Sequence, residues 1–378
     1  MKISTPSQIQ MVDLKKQFLP LQDEIESGIK EVISSGAFIN GPSVKSFAKN
    51  LENYLQVNHV IPCGNGTDAL QIALMALGLQ EGDEVITVPF TFVATAEVMA
   101  LLKLKVIFVD IDPDTFNMDV EALKNAVSSN TKCIIPVHLF GQTADMEQIC
   151  EIAGQFDIPI VEDNAQAIGA DYFYKNGSQK KAGTLGAIGC TSFYPSKNLG
   201  AYGDAGALFT NNDELAEKIR CIANHGQKEK YLSDFIGINS RLDSFQAVVL
   251  NAKLKRLDEY ADKRRRAAAH YDGVFANHPN FVIPFRAEYS SHVFHQYTLK
   301  YDGDRDALRA RLSEAGVSSM VYYPYPIHLH KAYEYLGYKN GHFPVSEKMG
   351  KSVISLPMHT ELDEEQLNYI CENVLAHP

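Results

Sequence analysis

The chain of 378 residues is 45% hydrophobic and 21% charged, with 35 Lys and Arg against 46 Asp and Glu, a net charge of −11. That length permits two domains or one large α/β unit with a sizeable core, and the composition excludes a disordered chain, a coiled coil or a fibrous repeat. The acidic balance repels phosphate backbones and argues against nucleic acid as the partner.

The N-terminus, Met1-Lys2-Ile3-Ser4-Thr5-Pro6, lacks the apolar core of a signal peptide. Leu21 to Ser34 reads as a helix stopped at Ser35-Gly36. Short apolar runs follow as strand candidates: His59–Cys63, Glu84–Val88, Lys105–Val109, Cys133–Val137, Pro159–Glu162 and Gly189–Phe193. Helical patterns fall between them, at 68–77, 91–102, 119–126 and 145–155. The longest apolar region, Val85 to Val109, is broken by Pro89, Glu97, Lys103 and Lys105, so no membrane span is expected. Strands spaced by helices imply crossover connections and a mostly parallel, covered sheet, with its chemistry beyond the carboxyl ends of the strands.

After Asn239 the texture changes. Leu242 to Tyr271 reads as one long helix, and the run Lys263-Arg264-Arg265-Arg266 reads as its solvated face. Beyond it, strands are expected near His295–Leu299 and Ser318–Tyr323, in a smaller α/β unit. The cysteines, at 63, 133, 150, 190, 221 and 371, show neither CxxC nor zinc-finger spacing. No metal is expected, and the spread suits reduced thiols in a cytoplasm.

Three features could carry chemistry. Gly64-Asn65-Gly66-Thr67-Asp68-Ala69 has the G-x-G-x-x-A spacing of a dinucleotide fingerprint, but the acids that should follow, Asp83 and Glu84, stand at the start of a strand. What survives is a phosphate cup at a helix N-terminus or a plain tight turn. The strand Pro159–Glu162 ends on Asp163, which either caps a helix or holds a cationic group of a ligand. In Ser192-Phe193-Tyr194-Pro195-Ser196-Lys197-Asn198-Leu199-Gly200, a single lysine stands among small and apolar residues. Such flanks suggest burial beside a compact ligand, and a desolvated lysine can form a Schiff base. Phosphate anchor, carboxylate and lysine together are what pyridoxal phosphate requires.

These motifs make the sequence resemble the DegT/DnrJ/EryC1/StrS family of pyridoxal-phosphate-dependent sugar aminotransferases, over nearly the whole chain from Met11 to His359. The carrying motifs are Asn65-Gly66-Thr67-Asp68-Ala69-Leu70, Val161-Glu162-Asp163 and Phe193–Gly200. The resemblance implies an α/β aspartate-aminotransferase-like (type I) fold and a homodimer with a shared active site. Residues 1–250 would form the N-terminal segment and large cofactor-binding domain, and 251–378 the small C-terminal domain. By the same resemblance, Lys197 forms the Schiff base and moves the proton, while Asp163 pairs with the pyridine nitrogen. Phe92 matches the stacking aromatic, although its sequence context alone favours core packing. Gln166 matches the residue near the ring hydroxyl. Gly66, Thr67 and Ser192 match the phosphate cup, with Asn239 reaching in from the second subunit.

L-Glutamate is the usual donor in the family, and the acceptor is a ketone on a nucleotide-linked sugar. The loop Asn239-Ser240-Arg241-Leu242-Asp243 and the preceding Asn224-His225-Gly226-Gln227 look more like the branch acting on 3-keto sugars than the 4-keto branch. His225, Arg241, Tyr323 and His328 are the candidate substrate residues. Arg241 could equally pair with a nearby carboxylate, and His328 could equally be a structural histidine. Ile168 stands where many members have His, Ala48 where Glu is common and Ala205 where Gly is frequent. The change at Ile168 puts one polar contact near the cofactor in doubt. The rival readings are a nicotinamide-dependent sugar oxidoreductase and a non-catalytic regulator. The misplaced acids weigh against the first, and the negative charge without a helix-turn-helix weighs against a DNA-binding form of the second.

Overall fold

The computed structural model describes residues 8–376. Seven strands form the main sheet: β1 (His59–Cys63), β2 (Glu84–Thr87), β3 (Lys105–Phe108), β4 (Thr131–Ile134), β5 (Val161–Asp163), β6 (Ile188–Ser192) and β7 (Gly206–Thr210). Their order is β3-β2-β4-β5-β6-β7-β1. Ladders join β3-β2-β4 and β5-β6-β7-β1, and the bridges Ile134–Ile160 and Val137–Asp163 connect the two groups. β7 alone runs antiparallel to its neighbours. It was not among the expected strands, because its first residue, Gly206, closes the glycine-rich stretch 200–206 that reads as a loop.

Neighbouring residues of one strand feed opposite cores, as a sheet covered on both faces requires. Val85 and Cys133 join a core with the helices Gly66–Leu77, Ala94–Leu101 and Asp213–Ala223. Ile86 and Ile134 join another with the helices Val120–Ala126 and Met146–Gly154. The helix starts follow local chemistry: Asn65, Asp119, Asp145 and Asn212 each accept a first-turn backbone N–H. Gly36, at φ 66°, ends the helix Gln22–Ser35.

The C-terminal part adds an antiparallel sheet of β8 (Phe281–Val282), β9 (Tyr297–Tyr301) and β10 (Val353–Leu356). Helices Leu257–Phe275, Arg305–Glu314 and Glu364–Leu375 share a core with it, and Ile9 from the other end of the chain packs there too. The expected strand at 318–323 pairs through a single bridge, Met320–Ser355.

The expected long helix is two helices, Ser244–Leu254 and Leu257–Phe275, separated at Arg256 with φ −114° and ψ 7°. The basic run is not wholly a solvated face. Arg264 is 3% exposed and donates to the carbonyls of Phe294, His295 and Met358. Three carbonyls replace the water that a charge run suggests. Burial nonetheless lowers its pKa to about 10.

Candidate active site

A cavity of about 820 Å³ opens at the carboxyl ends of β2, β4, β5 and β6, against the N-terminus of the helix Gly66–Leu77. It gathers Gly66, Thr67, Phe92, Asp163, Gln166, Ser192, Lys197 and Tyr323. Residues more than 250 positions apart in the chain meet here, as expected of a sheet whose strand ends share one edge.

The lysine loop is held from several sides. Lys197 N–H donates to Tyr194 O at 2.8 Å, and Asn198 Nδ2 donates to Val293 O at 3.0 Å. Lys253, 1% exposed, donates from Nζ to Gly200 O at 2.8 Å. A Cβ at Gly200 would lie 2.2 Å from Pro195 O, so only glycine lets the loop fold back this closely. Lys197 keeps part of its surface open to the cavity, while protein surrounds the ammonium elsewhere. The lost water lowers its pKa to about 8, against the pull of Asp163. Its Nζ makes no hydrogen bond among the described residues, which leaves the amine available.

Asp163 ends β5 and is 6% exposed. Burial raises its pKa, against opposing donation from Thr95 Oγ1 to Oδ2 at 2.8 Å and from Ala165 N–H to Oδ1 at 3.2 Å. It does not cap a regular helix. Beside it, Glu162 points into the protein. Its Oε2 accepts from His138 Nε2 at 2.8 Å and from Gly183 N–H, and its Oε1 accepts from the N–H groups of Leu185 and Gly186. His138 Nδ1 accepts from Ala144 N–H at 3.1 Å, which places the ring proton on Nε2. The His138 backbone N–H donates to Asp163 O at 3.0 Å.

At the cup, Asn65 caps the helix by accepting from Asp68 N–H at 2.8 Å, and the N–H groups of Gly66 and Thr67 precede the helix's own bonding. A Cβ at Gly66 would lie 2.7 Å from Ser192 Cβ, so glycine keeps the two walls close. Free N–H groups at a helix start, with a serine opposite, fit a phosphate. A carboxylate and an unpaired amine across the same cavity fit the remainder of pyridoxal phosphate. Phe92 is 56% exposed and presents its ring to the cavity, not to the core. Gln166 accepts from Phe140 N–H at 2.8 Å and donates to the Tyr323 hydroxyl at 3.0 Å.

Other predicted residues lie elsewhere in the single chain. Asn239 and His225 are exposed and outside the cavity, and Arg241 donates to Asn224 Oδ1 at 3.1 Å, to an amide and not to a carboxylate. Their neighbour Ser240 is anchored, donating to Asp68 Oδ2 at 2.6 Å and accepting from Gly64 N–H at 2.8 Å. His328 is a correction: it is 2% exposed, 3.0 Å from Glu347 Oε1 and edge-on to Phe343, away from the cavity. Ile168 is another. It sits in an apolar core with Phe47, Phe193 and Ala205, against which Ala48 packs, so the three departures from the family pattern share one core rather than the cavity wall.

Thr95, Asp204, His295 and Gln296 also line the cavity, unmarked by the sequence reading. His295 is buried, and burial followed by the Lys197 and Arg264 charges holds its pKa well below the ordinary value. It belonged to an expected strand, and its only local signal was a histidine at the strand's start. Glu84 pairs with Lys105 Nζ at 2.8 Å at the opposite end of β2, so it cannot serve the Gly64–Gly66 turn as a ribose-binding acid.

The family model of the DegT/DnrJ/EryC1/StrS aminotransferase family matches residues 20–375. A Geobacillus stearothermophilus chain named pleiotropic regulatory protein is 48% identical, over 97% of this chain and 97% of its own. The Pseudomonas aeruginosa UDP-2-acetamido-2-deoxy-3-oxo-D-glucuronate aminotransferase is 44% identical, over 96% of this chain and 98% of its own. The solved structure of a DegT DnrJ EryC1 StrS aminotransferase from Brucella abortus superposes with TM-score 0.92 at 39% identity, covering 97% of this chain and 98% of that one.

Proposed function

The chain belongs to the DegT/DnrJ/EryC1/StrS aminotransferase family, and on that premise we propose that it transfers the amino group of L-glutamate to a nucleotide-linked 3-keto sugar, in a homodimer with a shared active site. It is a pyridoxal-phosphate-dependent aminotransferase. The observation that carries the reading is the convergence of Lys197, with no hydrogen-bond partner among the described residues, and buried Asp163 on one cavity. The 3-keto preference is supported by the Ser240-Arg241-Leu242-Asp243 loop and by the 3-oxo substrate in the name of the Pseudomonas relative.

Bound pyridoxal phosphate supplies an aldehyde that takes up an amine and a ring that withdraws electrons from the adjacent carbon. Gly66, Thr67 and Ser192 would hold its phosphate, Phe92 would lie against its ring and Gln166 would stand near its hydroxyl. Asp163 would receive the ring N–H and favour its protonated state. Lys197 would hold the group through Nζ and, as a free amine, would give and take a proton in the site. A pKa of about 8 lets one amine both give and take that proton near neutrality. Tyr323, tied to Gln166, would border the sugar.

The shared site is supported by what one chain leaves uncovered. The hairpin Gln227–Glu229 with Leu232–Ser233 and its flanks expose Tyr231 by 86%, Leu232 by 58% and Ile236 by 87%. Apolar tips of this size suit a partner surface. From that arm Asn239, His225 and Arg241 would enter the partner's cavity, while buried His328, held by Glu347, would stay structural.

The test is the visible spectrum of purified protein. L-Glutamate should bleach the cofactor band, and a nucleotide-linked 3-keto sugar should restore it faster than a 4-keto sugar. A protein that stays colourless with added pyridoxal phosphate would refute the aminotransferase reading. Faster restoration by a 4-keto sugar would overturn the substrate assignment, and an elution volume of a monomer at working concentration would overturn the shared site.

A further inference from the structure

Asp163 is asked to stay ionised where burial opposes it. The titratable groups facing it are Lys197, whose charge favours the carboxylate, and His138, with Tyr323 and Cys190 nearby. Neither side chain touches its oxygens: among the described residues the carboxylate has two donors, Ala165 N–H and the Thr95 hydroxyl. The hydroxyl bond is the shorter, 2.8 Å against 3.2 Å.

Thr95 is 0% exposed and lies in the first turn of the helix Ala94–Leu101. Behind it, 3.3 Å away, stands the hydroxyl of Thr91, itself 3% exposed. Only the Thr95 hydroxyl reaches β5, and Phe92, between the two threonines in sequence, lines the cavity. One short segment therefore carries both the ring's neighbour and the carboxylate's support.

We propose that Thr95 is a positioning residue for the cofactor's nitrogen partner: its hydroxyl, backed by Thr91, orients Asp163, favours its carboxylate form and couples it to the Phe92 turn. The proposal rests on reading Asp163 as the partner of the pyridine nitrogen. A donor aimed at the ionised form stabilises that form over the neutral acid. Thr95 also has Phe92 O at 3.3 Å as an alternative acceptor. A bond to a charged group of ordinary strength corresponds to a shift of about one to two pH units.

The experiment compares Thr95→Val, which keeps the shape and removes the hydroxyl, with Thr95→Ser, which keeps the hydroxyl. Infrared difference spectra of the cofactor-free protein follow the Asp163 acid band through a pH titration, with Asp163→Asn identifying it. Thr95→Val should raise the midpoint by about one to two units, and Thr95→Ser should leave it within a few tenths. In the loaded enzyme Thr95→Val should lower kcat about tenfold or more with a smaller change in KM, and Thr95→Ser should recover most of it. A Thr95→Val midpoint equal to that of the natural chain would overturn the proposal, as would a Thr95→Ser midpoint shifted as far as Thr95→Val. If Thr95→Val does not fold, Thr95→Ala carries the same comparison and Thr91→Val should show a smaller shift in the same direction. A protein that never binds pyridoxal phosphate would refute the reading of the site, while the infrared midpoint would still decide the role of Thr95.

Discussion

Replacing Glu162 by glutamine changes one buried atom and should cost more than its size suggests. The side chain is 0% exposed, and each oxygen receives two donors. Glutamine keeps one acceptor oxygen and turns the other into NH₂. In one orientation the NH₂ faces Leu185 N–H and Gly186 N–H; in the other it faces Gly183 N–H and His138 Nε2. Neither orientation escapes two donor–donor contacts. His138 cannot relieve the second by moving its proton to Nδ1, because Nδ1 accepts from Ala144 N–H. Two lost bonds to a carboxylate, with their donors left buried, should cost about 3–5 kcal/mol. Denaturant unfolding of the cofactor-free protein measures this as a lower midpoint at unchanged slope. Glu162→Gln should also weaken cofactor binding, since Asp163 is the next residue and His138 N–H holds its carbonyl. A loss below about 1 kcal/mol would refute the reasoning, because it would mean that the two displaced donors find other acceptors.

Three further expectations follow from the same geometry. Cofactor-free protein should react with pyridoxal phosphate at a rate that rises through about pH 8 as the Lys197 amine loses its proton; a rise only toward the ordinary 10.5 would show that burial does not tune it. Burial also lowers Lys253 to about 8, below the 10.5 of the unfolded chain, so between those values the unfolded chain holds a proton that the folded one lacks. The natural chain should therefore gain up to about 3 kcal/mol over Lys253→Met as pH rises across that window, and parallel stability curves would contradict this. Gly66→Ala puts a Cβ 2.7 Å from Ser192 Cβ, which must push the two walls apart, so it should lower the unfolding midpoint and raise the dissociation constant for pyridoxal phosphate about tenfold or more; unchanged affinity in an absorbance titration would argue against the cup.

Much of the site was legible in the sequence because its parts are local. A strand ending on Asp163, a glycine turn before a helix and a lysine among small residues each carry their chemistry within ten positions. Strands β1 to β6 were legible for the same reason, each being an apolar run between turn signals. β7 was not, because its neighbours on the sheet, and not its own pattern, make Gly206–Thr210 a strand. The resemblance to a family supplied Phe92 against the local odds, and the structure turns that ring to the cavity.

What the tertiary structure decided are the partnerships. Arg264 looked like one charge in a solvated run until carbonyls from residues 294, 295 and 358 met it in the core. His328 shared a motif with Tyr323, yet only Tyr323 reaches the cavity, and His328 is turned toward Glu347. Thr95 and His138 carried no signal at all, because a threonine in a helix and a histidine after a strand acquire a role only from the carboxylate that folding places opposite. Short-range chemistry is written in neighbouring residues, and it named the lysine and the aspartate. Burial and hydrogen-bond partners depend on segments hundreds of positions apart, and only their packing shows what holds those two groups in place.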